Sequence, residues 1–176
     1  MKMKKLLALL FAAAALCLLA ACAKTENSVP TGMKLASSEI VAYRLYVPEN
    51  WTVDMSTGVT SAYVSSSDRS NLSVVFFDTT EAEGEDPAAY FARYQKEYKE
   101  PLGDMTEPEE SDAKLDGVDA KQYVWSAKVA GAEYRFLQIY CVKDGRIYLL
   151  TFTATPEKYE EHLEKLGIIL ANFRFA

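Results

Sequence analysis

Residues 116–154, DGVDAKQYVWSAKVAGAEYRFLQIYCVKDGRIYLLTFTA, decide the fold. Three dipeptides punctuate the run: Asp116-Gly117, Ala130-Gly131 and Asp144-Gly145. Asp-Gly is a strong hairpin signal because both residues tolerate positive φ. The segments between are rich in strand formers: Tyr123, Val124 and Trp125; Tyr134, Phe136, Leu137, Ile139 and Tyr140; Ile147 to Phe152. The stretch from about Met105 to Ala154 therefore reads as a meander of three or four long antiparallel strands, the central sheet of the domain.

Immediately downstream, Thr155-Pro156-Glu157 combines a capping residue, a proline suited to the first helical position and an acid for the first turn. Tyr159, Leu163, Leu166, Leu170 and Phe173 then recur at spacings of four, three, four and three, so the spacing predicts a helix with one face on the sheet. Gly167 within it costs up to about 1 kcal/mol relative to Ala. The closing Asn172-Phe173-Arg174-Phe175 either frays or adds a short edge strand.

Upstream, Asp86-Pro87 repeats the helix-start signal after an acidic loop, Phe91, Tyr94 and Tyr98 fall at helical spacing, and Pro101 and Gly103 end the element. Before that helix the pattern is one of strands. Val41, Tyr43, Leu45 and Val47 alternate with Ala42, Arg44 and Tyr46 from about Ile40, and Pro48-Glu49-Asn50 turns the chain. Trp51 to Met55, Ala62 to Ser66 and Leu72 to Phe77 follow, the last two joined as a hairpin through a flexible polar loop at Ser67 to Asn71. The order is strands, helix, antiparallel strands, helix. The fold class is α+β, an antiparallel meander flanked by two helices.

This order resembles that of the PsbP-like superfamily, which includes the extrinsic photosystem II protein and bacterial DcrB-like lipoproteins. Three features carry the resemblance: a strand running into a Pro and Trp turn (Tyr46-Val47-Pro48-Glu49-Asn50-Trp51), a last meander strand announced by Gly and Tyr (Asp144-Gly145-Arg146-Ile147-Tyr148), and a terminal helix ending in an aromatic (Leu170-Ala171-Asn172-Phe173). It spans roughly residues 38–175. The resemblance implies an antiparallel sheet sandwiched or flanked by helices, and an accessory, non-catalytic role.

The start of the chain has a different logic. Lys2, Lys4 and Lys5 precede an uncharged apolar segment from Leu6 to Leu19, and Leu19-Ala20-Ala21-Cys22 follows. A basic end, a short apolar segment and small residues before a cysteine resemble the bacterial lipobox. The apolar segment is shorter than the roughly 20 residues a membrane-spanning helix needs. Residues 1–22 are therefore read as a lipoprotein signal peptide ending at Cys22, the site of lipidation (diacylglycerol and palmitate), residues 23–37 as a flexible spacer, and residues 38–176 as the folded domain. A multiply acylated N-terminus is a durable tether, where one acyl chain is marginal. The expected partner is first the membrane, cell membrane or outer membrane, with the domain facing outside the cytoplasm.

The chain carries 19 basic and 25 acidic side chains, and removing the three leader lysines leaves 16 against 25, a formal charge of −9. That balance speaks against nucleic acid as a partner. With Cys17 in the leader and Cys22 lipidated, Cys141 stands alone and no intrachain disulfide forms.

Little chemistry is written in the remaining residues. His162 is the single histidine, so any Ser-His-Asp or Cys-His site would have to use it. Beside stripe position Leu163 it reads as a boundary residue. Cys141, in register with Leu137 and Ile139, reads as a small core hydrophobe. Two acidic runs, Glu81-Glu83-Glu85-Asp86 and Glu107-Glu109-Glu110-Asp112, carry oxygen ligands for a hard cation but lack the Asp-x-Asp-x-Asp-Gly order of a calcium loop, and read as solvated surface. One histidine and one free cysteine make a transition-metal site improbable. No phosphate loop, nucleophile elbow or dinucleotide fingerprint is present. No catalytic residue, cofactor or metal ligand is assigned. The eleven tyrosines and two tryptophans either line a ligand groove or interface, or serve the sheet. The expected function is that of a membrane-anchored envelope lipoprotein acting as a non-catalytic binding or scaffolding module for another envelope protein or a small ligand. The alternatives are an envelope hydrolase with a scattered active site and a cation-dependent binding module.

Overall fold

The structure, a computed structural model, describes residues 28–79, 86–102 and 104–176. Cys22, the leader and the positions Glu81, Glu83 and Glu85 lie outside the described residues. In chain order the elements are β1 (Met33–Leu35), β2 (Tyr43–Arg44), β3 (Tyr46–Pro48), β4 (Thr52–Asp54), β5 (Thr60–Tyr63), β6 (Asn71–Asp78), α1 (Pro87–Leu102), β7 (Glu109–Leu115), β8 (Val118–Val129), β9 (Ala132–Lys143), β10 (Arg146–Ala154), α2 (Pro156–Asn172) and β11 (Arg174–Phe175).

The meander forms as the turn residues require. Asp116, Ala130 and Asp144 have φ of 48°, 51° and 51°, each followed by a glycine at 79°, 84° and 74°. Positive φ at both central residues matches the right-handed twist of the flanking strands, so each hairpin closes without a register slip. A seven-stranded antiparallel sheet results, in the order β4-β5-β6-β10-β9-β8-β7. The pairing of β6 with β10, from Asp78 opposite Arg146 to Asn71 opposite Thr153, joins the early hairpin to the meander.

Both faces of the sheet are buried, which explains the nearly continuous apolar run in β10. Ile147 and Leu149 point to one side with Tyr123, Trp125 and Tyr140, where α1 supplies Tyr90 and Phe91. Phe91 stacks on Tyr123 with ring centroids 3.6 Å apart. Tyr148, Leu150 and Phe152 point to the other side, beneath α2 and the short strands, with Trp51, Leu72, Tyr159, Leu166 and Phe173. The helix start at Asp86 is as expected from sequence: its Oδ1 accepts the Ala89 N–H at 2.8 Å. Thr155 makes no side-chain cap bond, and Pro at the first turn carries that start instead.

Four readings are corrected. Folded structure begins before residue 38: β1 pairs with β3, Met33 opposite Pro48, and Met33, Ala36 and Ser37 are buried. The alternation from Val41 to Val47 is two strands, because β2 pairs with β11 at the far end of the chain while β3 pairs with β1. The loop after β5 is tied down by its own hydrogen bonds, described below. On α2 the buried face carries Tyr159, His162, Leu166 and Ile169, and Leu163 is 38% exposed.

Candidate functional site

The single histidine lies inside the molecule. His162, on the middle of α2, is 1% exposed, and its Nε2 is 2.8 Å from Oδ2 of Asp68. A carboxylate only accepts, so the proton between them is donated by Nε2. Asp68 sits in the loop between β5 and β6, which its own bonds close: the Ser70 N–H donates to Oδ1 at 3.0 Å, the Asp68 N–H donates to Ser65 Oγ at 3.0 Å, and the Ser65 N–H donates to the Asp68 carbonyl at 3.0 Å. Partial burial works against the charged carboxylate, but hydrogen bonds from Ser70 and His162 outweigh it and pull the Asp68 carboxyl down to about 2. The acid is therefore ionised at any physiological pH.

Trp51 lies edge-to-face with the imidazole, ring centroids 6.3 Å apart at 73°. His162 Nδ1 and Trp51 Nε1 are both buried and neither has a hydrogen-bond partner among the described residues. Glu161, the preceding residue of α2, is half exposed and is met by Lys158 Nζ at 2.5 Å. One ligand atom each from Asp68, Glu161 and His162 fall within 4.8 Å of one another. This cluster joins residues 94 positions apart and had no local signal in the sequence. The one sign that could have pointed toward the histidine's burial is its own helical spacing from Tyr159 and Leu166.

The other candidates disperse. Cys141 is fully buried on the α2 side of the sheet, and burial pushes its thiol up to about 12, so it is core, as read from the sequence. Glu109, Glu110 and Asp112 of the second acidic run lie on edge strand β7, where successive residues alternate faces, and Glu107 precedes it. Glu110 and Asp112 there both pair with Lys121, at 3.0 Å and 2.7 Å, so these two acids are committed to a surface ion-pair network. Most tyrosines and both tryptophans are buried in the two cores instead of lining a cleft. Under α1, Trp125 Nε1 donates to Gln138 Oε1 at 3.1 Å, satisfying a buried amide inside that aromatic layer.

Two surface concavities have charged walls. The larger, about 780 Å³, lies on the β7–β8 hairpin, where Lys114 pairs with Asp119 and Lys121 with Asp112. The smaller, about 310 Å³, is lined in part by Glu107, Glu109, Glu133 and Arg135, and Arg135 is engaged by Glu160 at 2.8 Å. Neither brings together an uncommitted nucleophile and base.

No protein-family profile matches the chain, and no curated protein matches its sequence. Its fold, however, is shared. The cyanobacterial PsbP of Synechocystis, CyanoP, superposes with a TM-score of 0.61 at 14% identity, covering 86% of this chain and 96% of that one. LpqN of Mycobacterium tuberculosis, described as involved in cell envelope biogenesis, has a TM-score of 0.52 at 16% identity and covers 76% of this chain and 83% of its own. PA94 of Pseudomonas aeruginosa, a protein of unknown function, gives 0.53 at 17% identity over 80% and 94%. Identities this low establish the PsbP-like α+β architecture and nothing about activity.

Proposed function

We propose that this chain is a lipid-anchored, non-catalytic binding or scaffolding module of the bacterial cell envelope. The single observation that carries the non-catalytic reading is where its two reactive side chains lie. His162 is sealed at 1% exposure against Asp68 and Trp51, and Cys141 is fully buried with its thiol pushed up to about 12. A triad or a thiol nucleophile needs those groups to face substrate. What remains for function is the surface, and a charge of −9 past the leader suits a domain held near an anionic membrane. The lipobox-like Leu19-Ala20-Ala21-Cys22 supplies the tether, and an envelope role for LpqN, a protein of the same fold, is consistent with that address. Among the described residues no helix is long and apolar enough to cross a membrane.

Two arms test this. Cell fractionation should place the wild-type chain with membranes and release Cys22→Ser from them. Photo-crosslinking from exposed positions such as Ile168 and Val129 in intact cells should then trap one reproducible envelope partner or ligand. A soluble wild-type chain, or a hydrolytic activity that His162→Gln abolishes, would contradict the proposal.

A further inference from the structure

We propose that Asp68, Glu161 and His162 form a binding site for one divalent transition-metal ion, of the zinc class. Counting histidines and cysteines along the chain argues against such a site, but the fold brings two carboxylates to the one imidazole. Oxygen, oxygen and nitrogen donors within 4.8 Å of one another converge on an ion at the usual 2.0–2.2 Å by settling roughly 3.4 Å apart, the spacing of a tetrahedral set.

The independent observation is the histidine itself. It is a polar side chain only 1% exposed, and the nitrogen it turns toward the cluster is Nε2. The 2.8 Å approach of Nε2 to Oδ2 brings two lone-pair atoms together and requires a positive particle between them. A proton serves in the present structure; a metal ion can replace it, with Glu161 as the third ligand. The exchange balances: Nε2 releases its proton to solvent, its lone pair and the two carboxylates bind the ion, and no redox change occurs.

Each residue has a distinct part. Asp68 Oδ1 is held by the Ser70 N–H, which fixes Oδ2 toward the histidine. His162 gives selectivity for zinc over magnesium or calcium, because imidazole suits borderline metals. Glu161 lies at the half-exposed mouth, where solvent water can complete the coordination, and Lys158 occupies it when no ion is bound. Because α2 carries two ligands and the β5–β6 loop the third, the ion would staple the helix to the hairpin.

The test is calorimetry with Zn²⁺ alone on the full-length chain carrying Cys17→Ser and Cys22→Ser, which removes the leader thiols as rival ligands. One ion per chain is expected. Glu161→Gln, a change at an exposed side chain that leaves the fold intact, should weaken binding about tenfold or more. His162→Gln should abolish it, and Lys158→Met should tighten it by freeing Glu161. Co²⁺ should give a visible spectrum with no thiolate band. Absence of saturable binding up to millimolar Zn²⁺, or Glu161→Gln binding as tightly as the parent, overturns the proposal.

Discussion

Replacing Asp68 with Asn isolates the interaction that fixes α2 to the early hairpin. Asn keeps the shape and an acceptor for the Ser70 N–H, but removes the charge that receives the His162 proton. The carboxyl is held at about 2 in the folded protein against 3.8 for a free aspartate. At about 1.36 kcal/mol per pKa unit, that depression contributes roughly 2 kcal/mol of stability at neutral pH. Because the folded value lies below the unfolded one, the stabilisation is complete above about pH 5 and drains away as pH falls. About half should remain near pH 3 and little near pH 2, where the wild-type carboxyl also protonates. Urea unfolding followed by Trp fluorescence, in chelator, measures this directly. Asp68→Asn should lose about 2 kcal/mol near pH 7, equivalent to roughly 4–8 °C in Tm, and converge on wild type in acid. A loss below about 0.5 kcal/mol near pH 7, or a gap that does not narrow on acidification, would refute the reasoning.

Three further outcomes follow from particular positions. Gly167→Ala should raise stability by about 0.5–1 kcal/mol in a thermal melt, since a Cβ there meets nothing within 4 Å and alanine is the better helix former. Ala130→Asn should stabilise by about 1 kcal/mol in the same assay, because Ala130 holds φ of 51° and Asn relieves that left-handed conformation in a two-residue turn. Cys141 should resist Ellman's reagent in the native protein and titrate as one thiol once urea unfolds the chain, in a background lacking Cys17 and Cys22.

What could be read along the chain was what neighbours in sequence determine. Asp116-Gly117, Ala130-Gly131 and Asp144-Gly145 dictate backbone dihedrals locally, so the four-strand meander was legible down to its turns. Asp86 and Pro87 likewise set a helix start by contacts within one turn. The misreadings share a different cause. Tyr43 to Val47 alternates like one strand, but β2 answers to Arg174–Phe175 and β3 to Met33–Leu35, partners that only the folded chain supplies. On α2, the stripes through Leu163 and through His162 have the same mean spacing, and apolar identity favoured the first. His162 takes the buried position because Asp68, 94 residues earlier, satisfies its Nε2 there. The Asp68, Glu161 and His162 cluster was invisible for that same reason. Its two halves belong to separate elements, and each residue alone looks like surface or boundary.

The envelope tether is the claim on which the proposed role stands, and mass spectrometry of the protein recovered from bacterial membranes tests it most directly. The account predicts a mature chain beginning at Cys22, with diacylglycerol on the thiol and added fatty-acyl mass that Cys22→Ser lacks. A chain recovered with residues 1–21 intact, or cleaved elsewhere with an unmodified Cys22 thiol, would contradict it.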